Sequence, residues 1–308
     1  MKTDTPSRTA QYMALFRAIE TVRPSQKRLF NDPYSMIFLD NTFKLAVKIS
    51  SIPFLGRLIL KIIQNNAPGA LSSGIARTKY IDDLLEQTIS DGVEQVIILG
   101  AGFDTRALRL NFLENISLIE IDHPDTSNIK IEKLKNTIGH LPSNVKYYQL
   151  DFKKQSLTDL ANEYNLNLDI PTTFIWEGVT NYLNQEAVDK TFEFIQKFSD
   201  KTYIIFTYID KQVLDNPQAF QGTEQLFKNL KKSEEPYTFG IQPDMLPEYL
   251  KKFDITLIEN KSADEYRNKY IPERTNIIKG YEFYRVAFAK RVNQEKIFES
   301  IIKFIISF

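Results

Sequence analysis

The stretch VIILGAGFDTRALRL, Val96–Leu110, decides how this chain is read. An apolar, β-branched run breaks at Gly100-Ala101-Gly102 and passes into residues suited to a helix start. Two glycines without a Cβ let the backbone turn sharply and approach a ligand closely. Asp104 stands where the next helix begins and can accept from its free N–H groups. A tight strand-to-helix turn with its own cap would look the same, and Gly-x-Gly alone does not separate the two readings.

Working outward, seven runs dense in Val, Ile, Phe and Tyr follow from Val93: VEQVIILG, SLIEID, VKYYQLD, TTFIWEG, TYIIFTYI, ITLIEN and FYRVAFAKR. Their lack of strict alternation suits strands buried on both faces, and helix-length connections separate them. The expected fold is therefore α/β, a doubly wound, mostly parallel seven-stranded sheet of Rossmann-like form. Residues 1–90 read as an N-terminal helical addition, and residues 91–308 as the core. The addition includes RTKYIDDLLEQTI, where Ile81, Leu84, Leu85 and Ile89 share a face and Arg77 is placed at the helix opening. A cation there is mildly disfavoured by the helix dipole, so either a bound anion or a salt bridge to Asp82 or Asp83 is expected. An insertion at about residues 210–253, before the last two strands, is too long for a simple crossover and is expected to cap the ligand side.

Composition narrows the function. Lys plus Arg equals Asp plus Glu at 39 each, without basic runs, which argues against a nucleic-acid partner. There is no cysteine and only His123 and His140 offer imidazole, so no disulfide, thiolate chemistry or metal centre is expected. The polar N-terminus and the lack of an apolar run of roughly 18 residues predict a cytoplasmic protein without a membrane span. The apolar face of residues 297–308 is expected to be a packed terminal helix, with binding to a membrane surface as the alternative.

The chemistry-bearing residues fall at the ends of the predicted strands. Asp122 closes SLIEID at the distance from Gly102 at which a carboxylate reaches ribose hydroxyls. Asp151 and Phe152 close VKYYQLD, an acid–aromatic pair able to accept from an adenine amino group and to pack on its ring. Glu177 and Gly178 close TTFIWEG, followed by Tyr182. A carboxylate at that point can hold an ammonium group, act as a base or cap a helix, and the residues alone leave these open.

Together, SRTAQYMALFRAIE, LFNDPYSMIFL, RTKYIDDLLE, QVIILGAGFDTRALRL, IEIDHPDT, LDF and WEGVTNYL resemble the leucine carboxyl methyltransferase family, particularly its bacterial small-molecule O-methyltransferase branch. The resemblance implies a class I S-adenosylmethionine-dependent methyltransferase sheet with its last strand antiparallel. It implies Arg77 on the methionyl carboxylate and the backbone of Gly100, Ala101 and Gly102 against the methionine portion; the charge of Asp104 is one that a methionyl ammonium tolerates. It further implies Asp122 on the ribose, Asp151 and Phe152 at the adenine, and Glu177 near the reacting end, with Arg17 as a second basic residue from the N-terminal helices. The expected acceptor is a small-molecule hydroxyl or carboxylate, with Glu177 or Tyr182 as base if a hydroxyl is methylated, in a monomer or homodimer.

An NAD(P)-binding oxidoreductase is the main rival, and a non-catalytic adenosylmethionine binder is another. The dinucleotide reading fails at the third glycine, whose place is taken by Thr105, and Asp104 adds negative charge where two phosphates would sit.

Overall fold

The computed structural model describes residues 8–151, 155–233, 236–275 and 280–292. Seven strands form one sheet in the order β3-β2-β1-β4-β5-β7-β6, from β1 (Gln95–Leu99), β2 (Ser117–Asp122), β3 (Val145–Gln149), β4 (Thr172–Trp176), β5 (Tyr203–Ile209), β6 (Ile255–Ser262) and β7 (Tyr284–Arg291). β7 runs antiparallel between β5 and β6, and the other neighbouring pairs are parallel. The expected doubly wound sheet with an antiparallel last strand is thus observed. β1, β4 and β5 are buried along their whole length. The outer strands β3 and β6 are only partly covered, so burial on both faces holds at the centre and fails at the edges.

Alternation along the central strands divides the core. Ile97, Leu99, Ile119, Ile121, Phe174 and Trp176 point to one face. There they meet α7 (Leu157–Glu163), α8 (Gln185–Ile195) and α11 (Leu246–Lys251) through residues such as Leu160, Phe192 and Leu250. Val96, Ile98, Leu118, Ile175 and Ile205 point the other way, onto α4 (Ala70–Ser90) and α12 (Ala263–Tyr270). Tyr80, Ile81, Leu84 and Leu85 of α4 are buried there, and Ile89 is half-buried against them.

Before α4 come α1 (Arg8–Thr21), α2 (Asn41–Ser50) and α3 (Pro53–Asn66). Ala14, Leu15, Ala18 and Ile19 of α1 form a third apolar cluster with Phe38, Ile75 and Phe103, which places α1 against the glycine turn. The remaining helices are α5 (Arg106–Arg109), α6 (Pro124–Ile138), α9 (Gln212–Asp215), α10 (Thr223–Ser233) and α13 (Pro272–Thr275). α9, α10 and α11 belong to the long connection between β5 and β6.

One expectation needs correction. α4 begins at Ala70, so Arg77 lies two turns inside the helix rather than at its opening, and the dipole argument does not apply to it. The run RTKYIDDLLEQTI carries the helical period only because ALSSGIA before it is rich in small residues that show no apolar stripe. The helix after the glycine turn, α5, is a single turn. A dinucleotide pyrophosphate relies on the aligned peptide dipoles of a long helix, and one turn supplies little of that field. The apolar segment 297–308 and Phe152 lie outside the described residues. Among the described residues no helix is long and apolar enough to cross a membrane.

Candidate active site

β1 has β2 on one side and β4 on the other, so the chain order reverses at β1 and opens a crevice at the carboxyl ends of these strands. Gly100 follows β1, Asp122 ends β2, Asp151 follows β3 and Glu177 follows β4, so four of the expected site positions share that edge.

Gly100 and Gly102 both adopt left-handed φ values, 67° and 51°. A Cβ at Gly100 would collide with Val179 Cγ2, and one at Gly102 would come within 3.3 Å of Ala10 Cβ. The turn is held by Gly100 N–H donating to Ile121 O at 2.8 Å and Gly102 N–H donating to Asp122 Oδ2. Asp122 Oδ1 accepts from His123 N–H at 2.6 Å. Burial pushes the Asp122 carboxyl up, against the two N–H donors that favour its ionised form. Each oxygen keeps a further lone pair, enough to accept from a diol.

Around this turn lies a buried charge network. Arg77 Nε donates to Glu177 Oε1 at 2.8 Å, and Arg106 Nη2 donates to Glu177 Oε2 at 2.9 Å. Arg106 also pairs with Asp104 through Nη1 and with Asp82 through Nε at 2.8 Å. Arg109 Nη1 meets Asp82 Oδ2 at 2.6 Å. The salt bridge considered between Arg77 and Asp82 or Asp83 is therefore not formed: Arg106 and Arg109 take Asp82, and Lys79 takes Asp83. Three guanidinium groups face three carboxylates, so the network is balanced as it stands and accommodates a zwitterion without a net charge.

Burial would raise the Glu177 carboxyl, but Arg77 and Arg106 outweigh it and hold it below the usual range. Asp104 behaves likewise: burial opposes ionisation, while the Arg106 charge and the Arg106 N–H, 2.7 Å from Oδ1, bring its pKa down to about 2. Asp104 thus does bond the first backbone N–H of α5, as expected of a cap. Arg17 sits apart from Glu177, donating through Nε to Asp32 at 2.7 Å and through Nη2 to Phe103 O at 2.5 Å. Thr105 Oγ1 donates to the same Asp32 carboxylate, so Arg17 and Asp32 brace the turn from behind.

Beyond Arg77 the site is lined with phenols. The Arg77 guanidinium lies 4.7 Å from the Tyr284 ring centre, and Tyr284 OH is 3.3 Å from Thr207 Oγ1, which accepts from Gly178 N–H at 2.8 Å. Tyr182 OH is 3.3 Å from Thr9 Oγ1, and its ring packs edge-on to Tyr237. Burial drives the Tyr237 and Tyr281 phenols upward, with the neighbouring tyrosines adding to it. Tyr281 has a φ of 66°, a backbone strain held beside Tyr284.

Sequence reasoning did not single out Arg106, Tyr237, Tyr281, Tyr284 or Asn181. Arg106 lies inside the decisive stretch, but its three carboxylate partners come from α4, the turn and β4. Asn181, beside Tyr182, is 1% exposed, and both atoms of its side-chain amide lack a hydrogen-bond partner. A buried unpaired polar atom costs roughly 1–3 kcal/mol, so the Asn181 amide is an uncompensated polar group beside Tyr182.

The family model for leucine carboxyl methyltransferase matches residues 10–196, from α1 through the phenol-bearing loop and α8. The chain belongs to the leucine carboxyl methyltransferase family. It is 26% identical over 249 residues to the Bacillus subtilis protein YktD, whose name carries an inferred S-adenosyl-L-methionine-dependent methyltransferase activity; the match covers 76% of this chain and 80% of YktD. A Streptomyces coelicolor protein with the same inferred activity is 35% identical over 115 residues, 37% of this chain and 40% of its own. The fold matches that of a Thermobifida fusca structure described as an inferred methyltransferase, with a TM-score of 0.57, 11% identity, and coverage of 94% of this chain and 99% of that one.

The side chains present fit the cofactor of such a methyltransferase. A glycine turn, a strand-end carboxylate with lone pairs to spare, and a balanced Arg–Glu–Arg cluster are the groups that would hold the methionine portion, the ribose diol and the amino-acid end of S-adenosylmethionine. Ala10 of α1 and Val179 pack against the turn on the sides where a Cβ of Gly102 and of Gly100 would project.

Proposed function

We propose that this methyltransferase transfers its methyl group to a carboxylate oxygen of a small molecule. S-adenosylmethionine is the cofactor, and when bound it supplies a sulfonium methyl group that is already activated. In this reading Arg77 holds the methionyl carboxylate, Glu177 faces the ammonium group, and Asp104 adds negative charge beside it. Asp122 accepts from the ribose hydroxyls, and Asp151 with Phe152 binds the adenine. Arg17 acts at one remove, by positioning the turn. Residues 1–90 close over the core of residues 91–308, as Ala10 on Gly102 suggests, and the protein works in the cytoplasm.

One observation supports a carboxylate over a hydroxyl: Glu177 is ion-paired on both oxygens and its pKa is lowered. Such a carboxylate is a weak proton acceptor. Tyr237 and Tyr281, with their pKa values pushed up, stay protonated at neutral pH and serve as donors rather than bases. A hydroxyl acceptor needs a base. A carboxylate is already ionised at pH 7 and accepts hydrogen bonds from phenols, so no proton has to move. The residues then contribute by aligning acceptor and methyl group, which can supply most of the required rate enhancement. Asn181 offers one amide donor and one acceptor to a second polar group of the substrate.

Turnover with methyl-labelled S-adenosylmethionine over matched carboxylate and hydroxyl acceptors tests this. Base-labile methyl esters formed from carboxylates, at a rate nearly flat between pH 6 and pH 8, are expected. Ethers formed from hydroxyls alone, at a rate rising with pH, would overturn it.

A further inference from the structure

The α2–α3 hairpin is exposed in a way the rest of the molecule is not. Of the eleven large apolar side chains exposed among the described residues, seven fall between Leu45 and Ile62. Phe54 is 80% exposed and Leu58 54%. On α3, Phe54, Leu58 and Ile62 recur every fourth residue and Leu55 widens the same side, while Ile59 and Ile63 turn toward the body. Gly56 is buried because a Cβ there would collide with the carbonyl of Ser50, so the two helices close tightly and leave the outer side of α3 uncovered.

Charge identifies what that side meets. Residues 41–66 contain Lys44, Lys48, Arg57 and Lys61 and no Asp or Glu, in a chain whose formal net charge is zero. Arg57 and Lys61, at i+3 and i+7 from Phe54, lie on the same exposed side of α3, along one border of the apolar stripe. A two-fold contact through this face would bring two wholly basic patches together with no carboxylate from either hairpin between them. A helix with an exposed apolar side and only basic charges beside it has the make-up of one lying in the interface of an anionic lipid layer, apolar side chains among the acyl chains and cations at the headgroups.

We propose that the α2–α3 hairpin docks this protein on the surface of anionic membranes. The inference is independent of the methyl acceptor. Phe43 at the start of α2 packs its ring 5.6 Å from that of Tyr12 on α1, the helix that covers the glycine turn. The hairpin that carries the docking surface thus touches α1 through α2.

Co-sedimentation of the full chain with vesicles of phosphatidylglycerol and phosphatidylcholine, and with phosphatidylcholine alone, tests the proposal. Partitioning onto the anionic vesicles roughly tenfold or more above the neutral ones, falling with added salt, is expected. The double variant Phe54→Glu, Leu58→Glu should lose most of that binding while its far-UV circular dichroism and melting curve match the wild type. Arg57→Glu with Lys61→Glu should abolish the salt dependence. Absence of wild-type binding, or equal binding by the Phe54→Glu, Leu58→Glu variant, would overturn the proposal. So would a lipid-free dimer, seen by sedimentation velocity, that this variant dissociates without any change in vesicle binding.

Discussion

Arg77 and Glu177, a hundred residues apart in the chain, meet at 2.8 Å between Nε and Oε1, with both side chains largely withdrawn from solvent. The pair joins α4 to the end of β4 across the crevice beside β1. It also sets the state of both groups: Glu177 is kept ionised, and the Arg77 guanidinium is fixed against the Tyr284 ring.

Arg77→Ala should weaken S-adenosylmethionine binding by about 1.5–3 kcal/mol, the worth of a charge-assisted hydrogen bond. Calorimetric titration reads this directly, and unchanged affinity would remove Arg77 from the cofactor site. The variant also leaves Glu177 with Arg106 as its remaining guanidinium partner, so a loss of folding stability should accompany the loss of affinity.

Glu177→Gln should destabilise the fold by about 3–5 kcal/mol, because it strips a buried charge from between two arginines. Urea unfolding measures it. A variant as stable as the wild type would mean that Arg77 and Arg106 find other partners.

Acid should unfold the protein through the same network. The folded-state pKa of Asp104, about 2, lies below its unfolded value of 3.8, and Glu177 is shifted the same way. Their stabilisation is complete above the unfolded values and is lost as pH falls toward 2, on the order of 2 kcal/mol from Asp104 alone. Glu120 has the opposite sign. Burial raises it to about 7 despite its 2.5 Å pair with Lys130, so its contribution is present below pH 4.5 and fades as pH climbs to 7. Denaturant titrations across pH should therefore show Glu120→Gln flattening the slope between pH 4.5 and 7, and Asp104→Asn flattening it below pH 4. A variant that leaves its own window unchanged would refute that assignment.

Gly100→Ala places a methyl group against Val179 at a φ of 67°. Strain of about 1–3 kcal/mol and loss of cofactor binding are expected. Adding Val179→Ala should recover part of the stability, since it removes the colliding methyl, but not the part due to φ. Full recovery would show that the clash alone matters.

Asn181→Leu should raise the melting temperature, because it replaces two unpaired buried polar atoms by apolar ones. It should lower turnover at unchanged cofactor affinity. Wild-type turnover in this variant would remove Asn181 from the acceptor side.

Much of this was legible in the sequence, and what was legible was local. Runs of Val, Ile and Phe without alternation marked the buried strands β1, β4 and β5, because a strand covered on both faces has no polar side to display. The turn at Gly100 and Gly102 and the spacing to Asp122 were readable for a similar reason: both depend on backbone geometry within one strand–helix–strand unit, and the Gly102–Asp122 hydrogen bond realises it. Tertiary structure alone decided the partners. Arg77 carries no local sign that it belongs with Glu177 rather than with Asp82 one turn along its own helix, because attraction between charges depends on distance in space and not along the chain. The phenols Tyr182, Tyr237, Tyr281 and Tyr284 come from three distant loops and a strand, brought together where β7 inserts beside β5. Packing alone shows which side of α3 the body leaves uncovered. Sequence thus determined which backbone could form and where it must turn; the fold decided which charges neutralise one another, and hence that Glu177 is held as an anion rather than poised as a base.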